Sequence, residues 1–144
     1  MKIKIGIIIA STRPNRLGGK IGEWFFMEAK ELSLPGVEFA LIDLKDIDLP
    51  FLNEPKQPSD GDYQHVHTKK WSQLIGSLDG FVFVTAEYNG GMPASLKNAI
   101  DTLYQEWDDK PAGIVGYGST GAAQAATQLV VVLSKIGAVP RLKT

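Results

Sequence analysis

The sequence contains no cysteine, which excludes disulfide bonds, thiolate nucleophiles and cysteine-ligated metals. It also lacks an apolar run long enough for a membrane span or a secretory leader, because the opening apolar segment is short and leads into a polar turn at residues 11–16. There is no excess of basic residues either: the formal net charge is −1, which argues against a general nucleic-acid binder. We therefore expect one cytoplasmic domain over residues 1–144 that binds neither nucleic acid nor membrane.

Acidic residues are missing from the first 22 positions. The basic residues of that stretch are Lys2, Lys4, Arg13, Arg16 and Lys20. Between residues 43 and 62, in contrast, six acids stand against Lys45 and Lys56. The first loop of a nearly neutral protein is therefore expected to lie in a local positive field, as an anionic ligand requires.

Short apolar segments alternate with helix-like segments along the chain. Uninterrupted apolar segments are typical of strands buried on both faces of a parallel sheet, and amphipathic segments between them form crossover helices. The predicted strands are 3–10, 37–44, 81–85, 112–117 and a fifth over 138–142. The predicted helices start near residues 18, 64, 93 and 122, and residues 45–62 form a long surface loop. This alternation predicts an α/β, doubly wound, five-stranded parallel sheet in three layers.

Several apolar positions are predicted to face the core. On the first helix these are Ile21, Trp24, Phe25, Ala29 and Leu32; after residue 93 they are Leu96, Ile100, Leu103 and Tyr104. All three tryptophans are interpreted as packing residues. The last predicted helix, 122–136, is apolar nearly all round, which indicates contact with a partner.

Ligands of doubly wound sheets bind at the carboxyl ends of the strands, near the switch point between the first and third strands. The first loop there offers the hydroxyls of Ser11 and Thr12, the guanidinium groups of Arg13 and Arg16, and free amides at a helix N-terminus. These groups suit a phosphate monoester. The alternative is a solvated turn with scattered charge; a P-loop is excluded, because its motif is absent.

The second loop, residues 87–92, offers a stacking face on Tyr88 and close backbone approach at Gly90 and Gly91. Its alternative is an ordinary Asn-Gly turn. The third loop, residues 116–121, matches the dinucleotide-binding pattern G-x-G-x-x-G. However, it lies in the fourth strand–helix unit, and about 20 residues further on the sequence has Arg141 where an NAD-binding fold has an acidic residue. We expect it to close one side of the site. We expect no metal site at His65 and His67, which should lie on different helix faces.

These motifs together resemble those of the NADPH-dependent FMN reductases of flavodoxin-like fold, a group that includes bacterial quinone, azo-dye and chromate reductases. The matching segments are SxRxxR at 11–16, LP at 49–50, EYNGGMPASLKNAID at 87–101 and YGSTGA at 117–122. The resemblance implies bound FMN, with its phosphate on Ser11, Arg13 and Arg16 and its ring along Glu87, Tyr88, Asn89 and Gly90, while Ser119 and Gly121 close the other side.

The resemblance further implies hydride transfer from NADPH or NADH through the flavin to a small acceptor such as a quinone. The flavin carries this chemistry, so we nominate no catalytic side chain. It also implies a homodimer or homotetramer. The alternative function is a non-catalytic electron carrier or regulatory module that binds flavin.

The sequence departs from the family pattern in a few places. Ala86 stands where proline is common, and Ala122 and Val131 stand where glycine and arginine often occur. The sequence ends at Thr144, before the final helix that is usual in the family. We therefore expect a sheet face that a longer chain or a second subunit would cover.

Overall fold

The computed structural model describes residues 1–140, which form a five-stranded, all-parallel sheet in the order β2-β1-β3-β4-β5. The strands are β1 (Ile3–Ile9), β2 (Val37–Asp43), β3 (Gly80–Thr85), β4 (Pro111–Gly116) and β5 (Val139–Pro140). The helices are α1 (Gly18–Glu31), α2 (Leu44–Ile47), α3 (Val66–Gly76), α4 (Ala94–Asp101) and α5 (Ala123–Lys135). Two short 3₁₀ helices, Pro58–Asp60 and Gln105–Trp107, complete the described secondary structure.

The larger core lies between the sheet and helices α3, α4 and α5. Its centre is aromatic: the rings of Phe81 and Trp107 lie 5.0 Å apart in an edge-to-face arrangement, and Trp71 packs 6.2 Å from Trp107. Both buried indole N–H groups donate to carbonyls near the end of α4, those of Ala99 (2.9 Å) and Ile100 (3.1 Å). Because these polar atoms are satisfied, the two tryptophans contribute apolar burial without a desolvation penalty.

The opposite face of the sheet is covered by α1. Gly22 allows a close approach there, since a Cβ at this position would lie 2.4 Å from the Ile9 side chain. This contact sets the rotation of the helix, so that Ala29 is buried. The predicted stripe was therefore partly wrong: Trp24 is 58% exposed and Leu32 is 67% exposed. Tyr104 was also predicted to be buried, but it lies beyond the end of α4 and is 40% exposed.

The predicted order of strands and helices is confirmed, with boundaries shifted by one or two residues. The predicted loop 45–62 differs in detail, because it begins within the short helix α2 and contains the turn Pro58–Asp60. Two expectations lie outside the described residues: the continuation of β5 to residue 142 and the cover of the sheet beyond residue 144.

The strand register brings the predicted loops together. Ile9 at the end of β1 pairs with Val84, and Thr85 at the end of β3 pairs with Gly116 at the end of β4. Since all strands are parallel, the loops at residues 10–17, 86–93 and 117–122 lie along one edge of the sheet. No helix within residues 1–140 combines the length and apolar character needed to cross a bilayer.

Candidate functional site

The first loop (residues 10–17) is held to its neighbours by hydrogen bonds at Ala10 and Ser11. The Ala10 amide donates to the carbonyl of Val84 (3.0 Å), and the Ser95 hydroxyl donates to the Ala10 carbonyl (2.6 Å). Ser11 is fully buried, and its hydroxyl lies 2.5 Å from that of Tyr88. The first and second loops are therefore in direct contact.

The two arginines of the first loop have different environments. The Arg16 guanidinium forms a two-pronged ion pair with Asp43, one N–H···O distance being 2.8 Å, and also donates to the Ser11 carbonyl (2.5 Å). Asp43 thus brings an acid to a loop whose own sequence stretch has none. Arg13 and Thr12 are exposed, and Arg13 has no ion pair within residues 1–140.

The N-terminus of α1 is open toward this loop. Leu17 precedes the helix and provides no side-chain cap, and the first turn contains no acid. The amides of Gly18, Gly19 and Lys20 have no hydrogen-bond partner among residues 1–140. Uncapped amides at the positive end of a helix dipole favour an anion.

The second loop (residues 86–93) contains a tight turn. Tyr88 and Gly91 exchange two backbone hydrogen bonds of 2.9 and 3.1 Å, and the central residues Asn89 and Gly90 have φ values of 52° and 78°. This is the conformation of a type I′ turn, which Asn-Gly favours. The amides of Asn89 and Gly90 have no partner within the described residues, so they are available to the polar edge of a ligand.

Glu87 joins the second loop to α5. Its carboxylate accepts the amides of Gln124 (2.9 Å) and Ala125 (3.2 Å), and Thr120 approaches it at 3.4 Å. Ala122, the residue before α5, has no side chain that could cap the helix. Glu87 therefore acts as a helix cap supplied from another loop, and its predicted contact with a ligand stays a prediction.

The third loop (residues 117–122) folds back sharply onto β4. A Cβ at Gly116 would lie 2.2 Å from the Gly121 carbonyl oxygen, and Gly118 and Gly121 have φ values of 108° and 61°. The glycines of the G-x-G-x-x-G pattern thus serve a chain reversal. Ser119 and Gly121 are exposed, and a Cβ at Gly121 would meet nothing within 4 Å, so the space beside the third loop is open.

Tyr117, directly after β4, adjoins the candidate site and was not among the predicted site residues. Its hydroxyl oxygen is buried and has no hydrogen-bond partner within residues 1–140. The hydroxyl lies over the first turn of α1, because a Cβ at Gly18 would be 2.3 Å from it. Its place directly after β4 was the available signal, but the pattern drew attention to the glycines and to Ser119.

A cavity of about 450 Å³ lies beside the first loop, lined by Thr12, Lys45, Phe51 and Ser95 among others. The segment carrying Phe51 is fixed by Asn98, whose amide donates to the Pro50 carbonyl (2.9 Å) and accepts the Leu52 N–H (2.9 Å). The side chain of Phe51 is nevertheless 80% exposed. A hydrogen-bonded segment therefore presents an exposed aromatic ring at the rim of this cavity.

The next residues of the same segment are fixed to the start of α3. Glu54 accepts the amides of Gln64 (2.6 Å) and His65 (3.0 Å). The imidazoles of His65 and His67 both bond to Asn53, and their rings stack 5.2 Å apart. The expectation that the two histidines lie on different faces was wrong, because His65 precedes the helix. Within residues 1–140, no cluster of three or more potential metal ligands occurs.

The chain is similar in sequence to known FMN reductases. A family model described as NADPH-dependent FMN reductase matches residues 3–143. An NAD(P)H-dependent FMN reductase of Schizosaccharomyces pombe is 44% identical over 128 residues, covering 88% of this chain and 63% of the relative. One from Saccharomyces cerevisiae is 39% identical over 140 residues, covering 91% and 73%. The chain thus spans 63% and 73% of the lengths of these two relatives.

Among solved structures, the flavoenzyme NAD(P)H:(acceptor) oxidoreductase FerB of Paracoccus denitrificans superimposes with a TM-score of 0.75 at 28% identity, covering 97% of this chain and 75% of that one. An NADH:FMN oxidoreductase in its apo form superimposes with a TM-score of 0.71 at 22% identity, covering 99% and 73%. The second likeness concerns the flavodoxin-like fold alone.

Proposed function

The chain belongs to the NADPH-dependent FMN reductase family, and from this premise we propose that it binds FMN and transfers hydride from NADPH or NADH to a quinone-like or other small acceptor. The observation that carries the proposal is the meeting of the three motif-bearing loops at one sheet edge, with the Ser11 and Tyr88 hydroxyls 2.5 Å apart. Bound FMN would supply the hydride chemistry, while the protein binds and orients it.

The donor set of the first loop fits a phosphate monoester. The first loop carries the exposed guanidinium of Arg13 and the hydroxyls of Ser11 and Thr12, and it leads directly into the uncapped amides of α1. Arg16 contributes in the proposal chiefly by fixing the loop, since Asp43 and the Ser11 carbonyl occupy three of its N–H groups. Any direct contact from Arg16 would use the N–H groups that remain.

The second and third loops fit the two sides of a flat heterocycle. The free amides of Asn89 and Gly90 suit its polar edge, and the half-exposed ring of Tyr88 suits stacking. We assign Ser119 and Gly121 to the opposite side, where the space beside Gly121 is open. Glu87 connects the second loop to the third through its hydrogen bonds to the start of α5.

The alternative function is a non-catalytic electron carrier that binds flavin. Such carriers tend to be strongly acidic for docking, whereas the net charge here is −1 and arginines occur in the first loop. The charge therefore favours an enzyme. Relatives named 2-hydroxy-1,4-benzoquinone reductase (Burkholderia sp., 29% identical) and NADPH:quinone oxidoreductase (Arabidopsis thaliana, 35% identical over 89 residues) support quinones as the acceptor class.

The proposed reaction is tested with the purified protein and added FMN. Absorbance and fluorescence titrations measure flavin binding, and oxidation of NADPH or NADH is then followed with and without a quinone. We expect binding, and turnover that depends on both protein and acceptor. Bound flavin without turnover would contradict the enzyme and support the carrier, and the absence of flavin binding would overturn both.

We also propose a cytoplasmic homodimer or homotetramer. The opening apolar segment forms β1, which lies between β2 and β3 in the sheet, as expected for a part of the folded domain. Val131 on α5 is 66% exposed beside a groove of about 450 Å³ that Met92, Lys97 and Gln128 also line. An apolar groove of this kind supports association between subunits.

A further inference from the structure

The tip of the second loop combines two groups that can react with each other. Asparagine is a chemically labile residue, because the backbone nitrogen of the next residue can attack its side-chain carbonyl carbon. Here the next residue is Gly90, which has no side chain to hinder the approach. Asn89 itself is exposed at the turn. The pair is therefore open to this reaction unless hydrogen bonds hold its reacting groups.

Neither reacting group is held. The amide nitrogen of Gly90 has no hydrogen-bond partner within residues 1–140, and the same is true of the side chain of Asn89. The side chain of Gln128 donates to the Gly90 carbonyl (3.2 Å), which leaves the nitrogen of that residue free. The attack requires the Asn89 carboxamide to turn toward this nitrogen, and an exposed turn can open for this purpose without global unfolding.

The other asparagines of the chain lack this combination. The sequence contains four asparagines, and an arginine, a glutamate and an alanine follow Asn15, Asn53 and Asn98. Asn98 uses both polar atoms of its carboxamide to bond the segment at residues 50–52, each at 2.9 Å. The side-chain oxygen of Asn53 is bonded to an imidazole (3.1 Å). A following glycine and an unbonded carboxamide thus occur together at Asn89.

We propose that Asn89 is a site of spontaneous deamidation. The Gly90 nitrogen attacks the side-chain carbonyl carbon of Asn89 and loses its proton, while the bond from that carbon to the side-chain nitrogen breaks. Ammonia leaves, and a five-membered succinimide ring remains. One molecule of water then opens the ring at either carbonyl, which gives aspartate or isoaspartate. The reaction involves no oxidation or reduction, and water is its only co-reactant.

The modification would change the candidate site directly. Both products carry a new negative charge, and isoaspartate also adds a carbon to the backbone of a turn whose central φ values are 52° and 78°. The longer backbone cannot keep the two free amides of the turn in their present places. Bound flavin would engage these amides and hold the Gly90 nitrogen, so deamidation should act mainly on the flavin-free protein. This protection, unlike the reaction itself, rests on the proposed function.

The test is to incubate the purified protein for several days at mildly alkaline pH, with and without added FMN. Peptide mass spectrometry then measures deamidation at each asparagine, and an isoaspartate-specific methyltransferase assay measures the rearranged product. We expect the rate at Asn89 to exceed that at Asn98 by about 10-fold or more, because Asn98 must first break two hydrogen bonds. Added FMN should slow the reaction at Asn89 alone.

Asn89→Gly is the matched variant. Glycine accepts the positive φ of this position, so the turn is retained while the reactive carboxamide is removed. FMN binding is measured by flavin fluorescence before and after the incubation, and each protein is compared with its own fresh sample. The wild type should lose binding in step with its isoaspartate content, whereas Asn89→Gly should retain its initial binding.

The outcomes separate this inference from the proposed function. Deamidation at Asn89 that is no faster than at Asn53 and Asn98 would overturn the inference, whether or not flavin binds. If flavin binds but does not slow the reaction at Asn89, the protection is wrong. If no flavin binds, the proposed function fails, while preferential deamidation at Asn89 still supports the modification site.

Discussion

The carboxylate of Glu87 is the only described side chain that caps α5, and it comes from a different loop. Its two amide contacts satisfy donors at Gln124 and Ala125 that the helix cannot satisfy itself. The side chain thereby couples the second loop to the third, so its removal should affect both stability and the shape of the site.

We expect Glu87→Ala to lower the free energy of unfolding by about 1–2 kcal/mol, the usual cost of losing a helix cap. Glu87→Gln should lower the free energy of unfolding by less, because one side-chain oxygen remains as an acceptor. Urea unfolding monitored by circular dichroism measures both values. Glu28→Ala is the control, since Glu28 is exposed on α1; an equal loss in this control would show that Glu87 has no special role.

Gly116 is a second residue whose effect can be isolated. In Gly116→Ala the new Cβ would lie 2.2 Å from the backbone oxygen of Gly121, which cannot move without the third loop. We expect a loss of about 1–3 kcal/mol in the free energy of unfolding, typical of forced overpacking.

Gly113→Ala is the matched control in the same strand, because the nearest atom to its Cβ would be 3.7 Å away. It should be neutral or slightly stabilising. Chemical denaturation of both variants gives the comparison, and similar losses in the two would contradict the proposed clash.

The site residues show which contacts local sequence can indicate. The Asn-Gly turn followed from the turn preference of two adjacent residues and is confirmed. The cap formed by Glu87 did not follow from local sequence, since its two amide donors lie 37 and 38 residues further along the chain and meet it only through the strand register. Pairing of Arg16 with Asp43 was missed for the same reason, because β1 and β2 bring together loops that the sequence separates.

Among the elements, α3 depends on a cap from the long segment before it. Burial alone would raise the pKa of Glu54, but hydrogen bonds from the amides of Gln64 and His65 lower this pKa to about 2, against an ordinary value of 4.5. A carboxyl group with a lowered pKa stabilises the fold above its unfolded-state pKa, and the contribution disappears as the pH falls through the folded-state value.

We expect Glu54→Gln to be less stable than the wild type by about 1 kcal/mol near neutral pH, a figure that allows for solvent screening of this half-exposed group. The difference should shrink from pH 4.5 down to pH 2. Urea unfolding across this pH range measures it. The control Glu31→Gln, at an exposed position, should show no such dependence, and a constant difference for Glu54→Gln would contradict the account.

Element types and order were predictable, because parallel strands and amphipathic helices have distinct apolar periods. The rotation of α1 was not. The helical period of the apolar residues predicted that Trp24 belongs to the buried face of α1. In the structure, the close contact of Gly22 with Ile9 turns the Trp24 side chain toward solvent. Helical periodicity shows that a face exists, while the close approach of one glycine decides where its centre lies.

For the whole molecule, the proposed association through α5 makes a direct prediction. Val131→Glu places a charge on a side chain that is 66% exposed in the single chain, so the fold should persist. A charge buried between subunits is costly, and the oligomer should therefore dissociate. Sedimentation velocity measures the mass, and circular dichroism verifies the fold.

Leu32→Glu is the matched control, since Leu32 directly follows α1, is 67% exposed and does not line this groove. It should leave the oligomer intact. A wild-type protein that sediments as a monomer, or an oligomer that is unaffected by Val131→Glu, would contradict association through this face.

The two edges of the sheet at which the strands begin and end differ in how well they should tolerate inserted residues. The connections from helix back to strand lie at the edge opposite the three loops, and the turn between α1 and β2 is exposed around residues 33–36. Extra residues inserted there would lengthen the chain without approaching the candidate site. This turn is thus a suitable place for a fluorescent label or for new termini in a circularly permuted chain.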